Sequence, residues 1–501
     1  MKKLIISTWS LLLVLAALLV ISSCKKNFLD RQPLGRFIDT DIPAGSFDGR
    51  IFATYSLLRH NGFNGRDYTS IHSFRSDEAE KGSSIVDGSE WADMYDDFGY
   101  IKTNGSIQTY WTEHYALIIA ANAIISDIDS LQATDAPTLI NKAEAKFLRA
   151  FSYFDMVRSF GQVPKIDFKI TDAAQVNKPK AAVNEIFALI DADLQEAAAM
   201  LPPTWNAQYI GRTTKGAAMT LQAKAYLWRK NWSAALSAAK GVIALNRYSL
   251  VSSYVSQFRD EGENGPESIF EIQAVRTISI TNLGIEYANQ QGVRGAGSWD
   301  LGWGWNTPTD LLVNEFEAGD PRKGATILFS GQTDPLYGET VPPFPTVPRL
   351  YWNKKVYTNP ADRVSKNSRF GQWMNHRIFR YADVLLMAAE AANELGGAQN
   401  TTDALAWLEL VRKRARGSST TILPAVTTTD QAALRTAIRH ERYVELGMEE
   451  QRFYDIVRWE IDVAVLQAAG KTRYQIKHRL LPIPQVEIDK SGGVLIQNPD
   501  Y

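Results

Sequence analysis

The chain has 501 residues with 54 basic against 55 acidic side chains, a formal charge of -1. That balance offers no basic footprint for a phosphate backbone, so nucleic acid is not an expected partner. Its single cysteine, Cys24, rules out disulfides as the source of stability, and a chain this long buries enough apolar surface without them.

Lys2 and Lys3 precede an apolar run from Leu11 to Ile21, and the small residues Ser22 and Ser23 lead to Cys24. This is the layout of a signal peptide over residues 1–23. The apolar run is short, and Ser7, Thr8 and Ser10 interrupt its approach, which argues against a spanning helix. Ile21-Ser22-Ser23-Cys24 resembles the bacterial lipobox, in which the cysteine is lipidated. Each buried acyl methylene contributes about 0.8 kcal/mol, so several chains anchor a protein almost permanently. The alternative is a secreted protein with a spare thiol. Residues 24–45 carry Pro33, Gly35, Pro43 and Gly45 and read as a tether to one globular unit over 46–501.

Ser76-Asp77-Glu78-Ala79-Glu80-Lys81-Gly82 continues through Asp87-Gly88-Ser89-Glu90-Trp91 to Tyr95, a mixture of acids, glycines and aromatics. Asp135-Ala136-Pro137 predicts a helix start, with a capping acid and a proline in the first turn. Ile140, Ala143, Phe147, Phe154 and Val157 then mark one apolar stripe, ended by Gly161 and Pro164. Gly216–Trp228 and Ala234–Ala244 predict a helix pair broken at Asn231. The alternation of small and aromatic residues there fits tetratricopeptide-like pairs. From about 255 to 375 glycine, proline and asparagine become common and helical periodicity fades. Val341–Pro348 is expected as an extended loop, because its prolines forbid helix. Such loops on a helical scaffold usually carry recognition. Two further pairs are predicted over 376–501. The first is Tyr381–Leu395 with Thr402–Ala415; the second is Asp430–Leu446 with Met448–Trp459.

No enzyme signature emerges. His60, His72, His114, His376, His440 and His478 are scattered, with no HExxH and no nucleophile elbow. Gly292–Gly297 lacks the phosphate-loop spacing and reads as a flexible loop. The acidic run Asp87–Asp97 offers oxygen ligands of the kind calcium takes but lacks EF-hand spacing, so neither metal nor cofactor is predicted. The cluster Arg439-His440-Glu441-Arg442, Glu445, Glu449-Glu450, Arg452, Asp455 and Arg458 alternates in sign. It reads as an ion-pair network locking packed helices rather than a glycosidase carboxylate pair.

Gly297-Ser298-Trp299-Asp300-Leu301-Gly302-Trp303-Gly304-Trp305-Asn306 sets indoles between glycines. Sugar rings stack their C–H faces on flat indoles while Asp, Asn and Arg take the hydroxyls. Asp77, Trp91, Tyr95, Trp299, Trp303 and Trp305 are therefore the candidate ligand-binding residues. The alternative for each ring is a core plug beneath a loop.

Several ordered motifs resemble the SusD/RagB family. They are Ala143-Glu144-Ala145-Lys146-Phe147-Leu148-Arg149-Ala150 with Tyr153-Phe154 and Gly161-Gln162-Val163-Pro164, and Arg380-Tyr381-Ala382-Asp383-Val384-Leu385-Leu386 with Ala389-Glu390-Ala391. Further along come Arg439-His440-Glu441-Arg442 with Glu445-Leu446, Phe453-Tyr454-Asp455, Arg458-Trp459, Leu481-Pro482-Ile483-Pro484 and Gln497-Asn498-Pro499-Asp500-Tyr501. With Phe28-Leu29-Asp30 they span nearly the whole chain after Cys24.

The resemblance implies a mostly α-helical fold with four tetratricopeptide-like pairs as scaffold and a loop-rich ligand face. The N-terminal part would cover about 46–250, a loop-rich insert 255–375 and the C-terminal part 376–501. It implies a non-catalytic lipoprotein on the outer face of the outer membrane. Such a protein captures a glycan and delivers it to a SusC-like TonB-dependent transporter. Peptides or other nutrients are the alternative cargo; a surface glycoside hydrolase and a purely structural adaptor are the competing classes. The family often keeps the stretch from Gly302 to Asp320-Pro321-Arg322 for structural reasons, which ranks Trp303 and Trp305 below Trp91 and Trp299.

Overall fold

The computed structural model describes residues 47–84 and 86–501. Cys24, the signal peptide over 1–23 and the tether over 24–45 lie outside the described residues. The described residues are mostly helical, 54% helix against 7% strand.

In chain order the principal helices are α1 (Asp48–Leu57), α2 (Glu90–Asp96), α3 (Gly105–Leu131), α4 (Ala136–Phe160), α5 (Val183–Met200) and α6 (Lys215–Trp228). They continue with α7 (Trp232–Ala244), α8 (Tyr381–Leu395), α9 (Ala398–Arg416), α10 (Gln431–Leu446) and α11 (Arg452–Arg458). From α3 to α9 each helix packs on the next, and α10 packs on α8 and α9. The expected neighbours α6–α7 and α8–α9 are adjacent. The long segment 245–380 leaves this stack after α7 and returns at α8, which packs directly on α7.

Local signals explain most boundaries. The Asp135 carboxylate accepts the Thr138 amide at 2.9 Å and Gly161 closes α4. Asn231 caps α7, its side chain accepting from the Ala234 amide at 3.3 Å. The expected helix Met448–Trp459 starts only at Arg452, because Met448 and Glu450 sit at φ of 66° and 62°, outside helical space. The apolar stripe expected on α4 is in fact a helix buried on all sides from Ala143 to Phe160. Phe147 and Phe151 meet Phe270 of the loop-rich segment edge-on at 5.1 and 6.1 Å.

Several of the family-like motifs carry buried ion pairs that tie helices together. Arg149 on α4 grips Asp193 on α5 through two bonds of 2.7 Å. Arg442 on α10 holds Asp383 on α8 at 2.8 Å and Asp455 on α11 at 3.1 Å. Glu390 on α8 receives Arg458 and the Trp459 indole N–H, the latter at 2.7 Å. The 439–458 cluster is thus the interlocked network that its alternating signs suggest.

Among the described residues the strands form three two-stranded ribbons: β1 (Ala79–Gly82) with β3 (Trp305–Pro308), β2 (Ser268–Ile272) with β6 (His376–Arg380), and β4 (Ile327–Phe329) with β5 (Tyr351–Asn353). All three pairs are antiparallel. The first of them carries the candidate site.

Candidate functional site

Ribbon β1–β3 joins the two aromatic segments singled out above. Its register pairs Ala79 with Pro308, Glu80 with Thr307 and Gly82 with Trp305. Two glycines permit the crossing. Gly82 has φ of 79°, and a Cβ there would lie 2.5 Å from Thr307 Oγ1; Gly304 has φ of 71°, and a Cβ there would lie 2.6 Å from Arg294 Cβ. Both conformations are ones that side-chain-bearing residues rarely adopt. The Ser83 amide donates to the Gly304 carbonyl at 2.6 Å and closes the ribbon's end. The glycines around the tryptophans therefore serve backbone approach, and the room they leave for indoles is secondary.

The chain leaves β1 through Ser83 and reaches α2, which carries Trp91. The Trp91 ring stands edge-on to Trp305, with centroids 5.5 Å apart and planes at 80°. Trp305 in turn lies 6.1 Å from Trp303, with planes at 31°. Guanidinium groups cap both ends of this row: Arg66 lies 5.1 Å from the Trp91 ring centre and Arg294 lies 5.9 Å from that of Trp303. The row thus runs Arg66, Trp91, Trp305, Trp303, Arg294.

Exposure divides the three indoles. Trp305 is only 6% exposed and Trp91 is half-buried, whereas Trp303 is 49% exposed. Trp305 is anchored by its N–H, which donates to Asp87 Oδ2 at 3.3 Å. The Lys81 ammonium donates to Asp87 Oδ1 at 3.0 Å, and the Ser89 amide donates to the same oxygen at 3.0 Å. Burial pushes the Asp87 carboxyl up, but the hydrogen bonds from Lys81, Ser83 and Trp305 outweigh it and hold the group below the usual carboxylate range. Asp87 is therefore a charged latch tying the loop before α2 to the base of the aromatic row. Arg294 Nη1 donates to Ser83 Oγ at 3.1 Å and fixes the far end.

The remaining candidates fall elsewhere. Tyr95 is fully buried and its hydroxyl donates to Asn104 at 2.9 Å, so its ring is core and presents no ligand face. Asp77 is 4% exposed, and Arg452 takes both its oxygens at 2.8 and 2.9 Å. Its carboxylate is occupied from within. Trp299 stands apart from the row, nearly parallel to Tyr357 at 6.2 Å over a small apolar cluster. The order expected from the family stretch is inverted for Trp303, which is the most open ring of the set.

Three further acids of the run 87–97 face cations: Asp93 shares Lys81 with Asp87, at 3.1 Å, Asp96 pairs with Lys471 at 3.2 Å and Asp97 with Arg473 at 2.7 Å. Among the described residues no cluster of His, Cys, Asp and Glu could hold a metal ion. The carboxylates of the C-terminal cluster face cations too. Glu445 is pushed up by burial, yet Arg414, Arg380 and Arg322 more than offset this and keep it ionised far below its ordinary value. Fully buried and charged, it has no proton to give a glycosidic oxygen.

Sequence reasoning missed Arg66, Arg294 and the latch Asp87. Arg294 lies inside the glycine-rich run read as a flexible loop, and Arg66 precedes the π-helical turn Ser70–Phe74, far from any recognisable motif. Only the folded packing of these separate segments around the ribbon brings them to one row.

Comparison with known proteins agrees with this architecture. A model of the SusD family matches residues 266–501, and one described as starch-binding associating with outer membrane matches 50–227. SusD-like protein P2 of Formosa agariphila is 28% identical over 94% of this chain and 96% of its own length. A SusD-like protein of Bacteroides ovatus is 26% identical over 90% of this chain and 82% of its own. Among solved structures, surface glycan-binding protein A from Bacteroides fluxus superposes with a TM-score of 0.76 at 24% identity, covering 92% of this chain and all of that one. A laminarin-binding SusD-like protein also gives 0.76 at 24% identity, over 90% of this chain and 98% of its own. Surface glycan-binding protein A from Bacteroides thetaiotaomicron, in complex with laminarihexaose, gives 0.75 at 22%, again over 90% and 98%. Among the described residues no helix is long and apolar enough to cross a membrane. Two family models that together take in both halves of the globule, relatives aligned over almost its full length, and the shared fold lead to one assignment: the chain belongs to the SusD/RagB family.

Proposed function

We propose that this protein is a non-catalytic glycan-binding lipoprotein of the outer cell surface, and that the row Trp91–Trp305–Trp303 is its sugar platform. The carrying observation is Trp303: a half-exposed indole, braced from behind by a buried, hydrogen-bonded Trp305 and flanked by Arg294. Trp303 is not an isolated ring: it continues a row of indoles through Trp305 to Trp91, and clustered aromatic surface, unlike a single exposed side chain, is a binding feature. Stacking on indole suits the C–H faces of sugar rings, and the terminal guanidiniums suit their hydroxyls. Fold relatives whose names record glycan or laminarin binding support the same ligand class. Lipid at Cys24 and delivery to a SusC-like TonB-dependent transporter complete the reading, in keeping with the family description of association with the outer membrane.

Calorimetry against plant, host and microbial oligosaccharides, laminarihexaose among them, and against peptides tests the ligand class. At least one glycan should bind, and Trp303→Ala should weaken it by about 1–3 kcal/mol, as for other rings stacked on aromatics. Peptide binding with no glycan binding would overturn the reading. Reducing-end release during the same incubations would instead establish catalysis. In cells, radiolabelled palmitate should enter the intact chain and not Cys24→Ser, and the transporter should co-purify with the mature protein.

A further inference from the structure

Resting on the glycan reading above, we infer that a second sugar subsite occupies the cleft at the other end of ribbon β1–β3. The cleft measures about 430 Å³ and is open to solvent. That falls within the range of about 300–1,000 Å³ typical of small-molecule sites. Its floor includes Glu80 and Thr307, the paired residues of the ribbon that also carries Trp305. Four residues separate Thr307 from the exposed Trp303, at most about 14 Å of chain, a span that an oligosaccharide of a few rings covers.

The lining combines exposed apolar surface with hydrogen-bonding groups. Phe344, Leu350 and Leu311 are 55%, 52% and 45% exposed, and all three converge on this one concavity. Single exposed apolar residues need no explanation, but three around a cleft mark a binding surface. The polar groups are almost balanced in charge. Arg349 pairs with Glu80 at 2.9 Å, Lys471 with Asp96 at 3.2 Å, and the Asp77 carboxylate with Arg452. Asp310, exposed, lies beside the Tyr351 hydroxyl. A free anion or cation finds little net attraction here. A neutral polyhydroxylated ligand finds acceptors in Glu80 and Asp310, donors in Arg349 and Lys471, and an aromatic face in Phe344.

Arg349 also links this cleft to the aromatic row. Its Nε donates to the Ser83 carbonyl at 2.8 Å and Nη2 to the Gly82 carbonyl at 2.9 Å. The wall of the cleft thus braces the turn from which the chain runs on to Trp91, and both sites share one rigid support.

The test uses the mature chain and the variants Phe344→Ala, Leu311→Ser and Trp303→Ala. Each is titrated with oligosaccharides of two to ten sugars drawn from the panel above. Both cleft residues are exposed, so melting temperatures should match the unmodified protein. For the glycan that binds, Phe344→Ala and Leu311→Ser should each lower affinity for the longest chains by about tenfold and leave the shortest unchanged. Trp303→Ala should weaken chains of every length. Unchanged long-chain affinity in both cleft variants, with Trp303→Ala impaired, overturns the second subsite alone. If no glycan of any length binds the unmodified protein, the platform reading falls and the subsite with it.

Discussion

Trp303, Trp305 and Trp91 lie within one row yet do different physical work. Trp305 is a buried brace whose N–H is satisfied by Asp87, so Trp305→Ala removes packing and leaves a buried carboxylate short of a donor. We expect a stability loss of about 3–5 kcal/mol, read as a lowered denaturant midpoint. Glu78 supplies a separate residue-scale prediction. It is 1% exposed, one of its oxygens has no hydrogen-bond partner, and burial followed by repulsion from Asp77 pushes its pKa up to about 8. The folded state therefore holds this proton more tightly than the unfolded chain. Its contribution to stability is fully present below the unfolded value of 4.5 and is lost as pH rises through about 8. Glu78→Gln, which cannot ionise, should melt higher than the parent at pH 9 and flatten the decline between pH 5 and 9. An equal decline in both proteins would show that Glu78 is not the group responsible.

At the scale of elements, the β1–β3 ribbon is short, and its stability rests on two backbone crossings rather than on strand length. Gly82→Ala would force a side chain into a left-handed conformation and against Thr307. We expect a cost of at least about 1 kcal/mol, together with weakened glycan binding, because the ribbon's end positions Trp305 and the chain leading to Trp91. Binding at unmodified strength would show that the ribbon does not set the platform. The helices were legible in the sequence where punctuation was strong: the Asp135 cap, Gly161 and Asn231. Helix α3 drew no prediction. Its run of Ile, Thr and Tyr has weak intrinsic helix preference, and burial against α1 and α4 decides its form instead. Helix α9 begins at Ala398, ahead of the expected Thr402, because the polar first turn carries no apolar signal.

Across the whole molecule the helical stack and the loop-rich half are locked by arginine–carboxylate pairs. Glu445 on α10 receives Arg322 at 3.0 Å, Arg380 at 2.6 Å and Arg414, drawing a short helix, strand β6 and α9 onto one carboxylate. Removing one partner of such a buried group leaves uncompensated charge, typically at a cost of about 3–5 kcal/mol. Glu445→Gln should therefore destabilise the entire fold in one cooperative transition, measurable by calorimetry. A small, local effect would mean that the network is dispensable.

The amino-acid sequence alone determined the class of molecule. Helix stops, the alternating charges of 439–458 and the ordered family motifs are local or covalent features, so they survive without knowledge of the fold. It also marked which tryptophan-bearing segments deserved scrutiny. Only the tertiary structure decided which rings face solvent: Trp303 opened, Trp305 closed, Tyr95 became core and Asp77 was taken by Arg452. Exposure of an indole depends on what packs behind it. Here that is set by a ribbon between sequence-remote strands and by Asp87, Arg66 and Arg294, which no spacing in the chain connects. The cleft beside Phe344 has the same origin, since its walls come from four separate stretches of chain that meet only when folded.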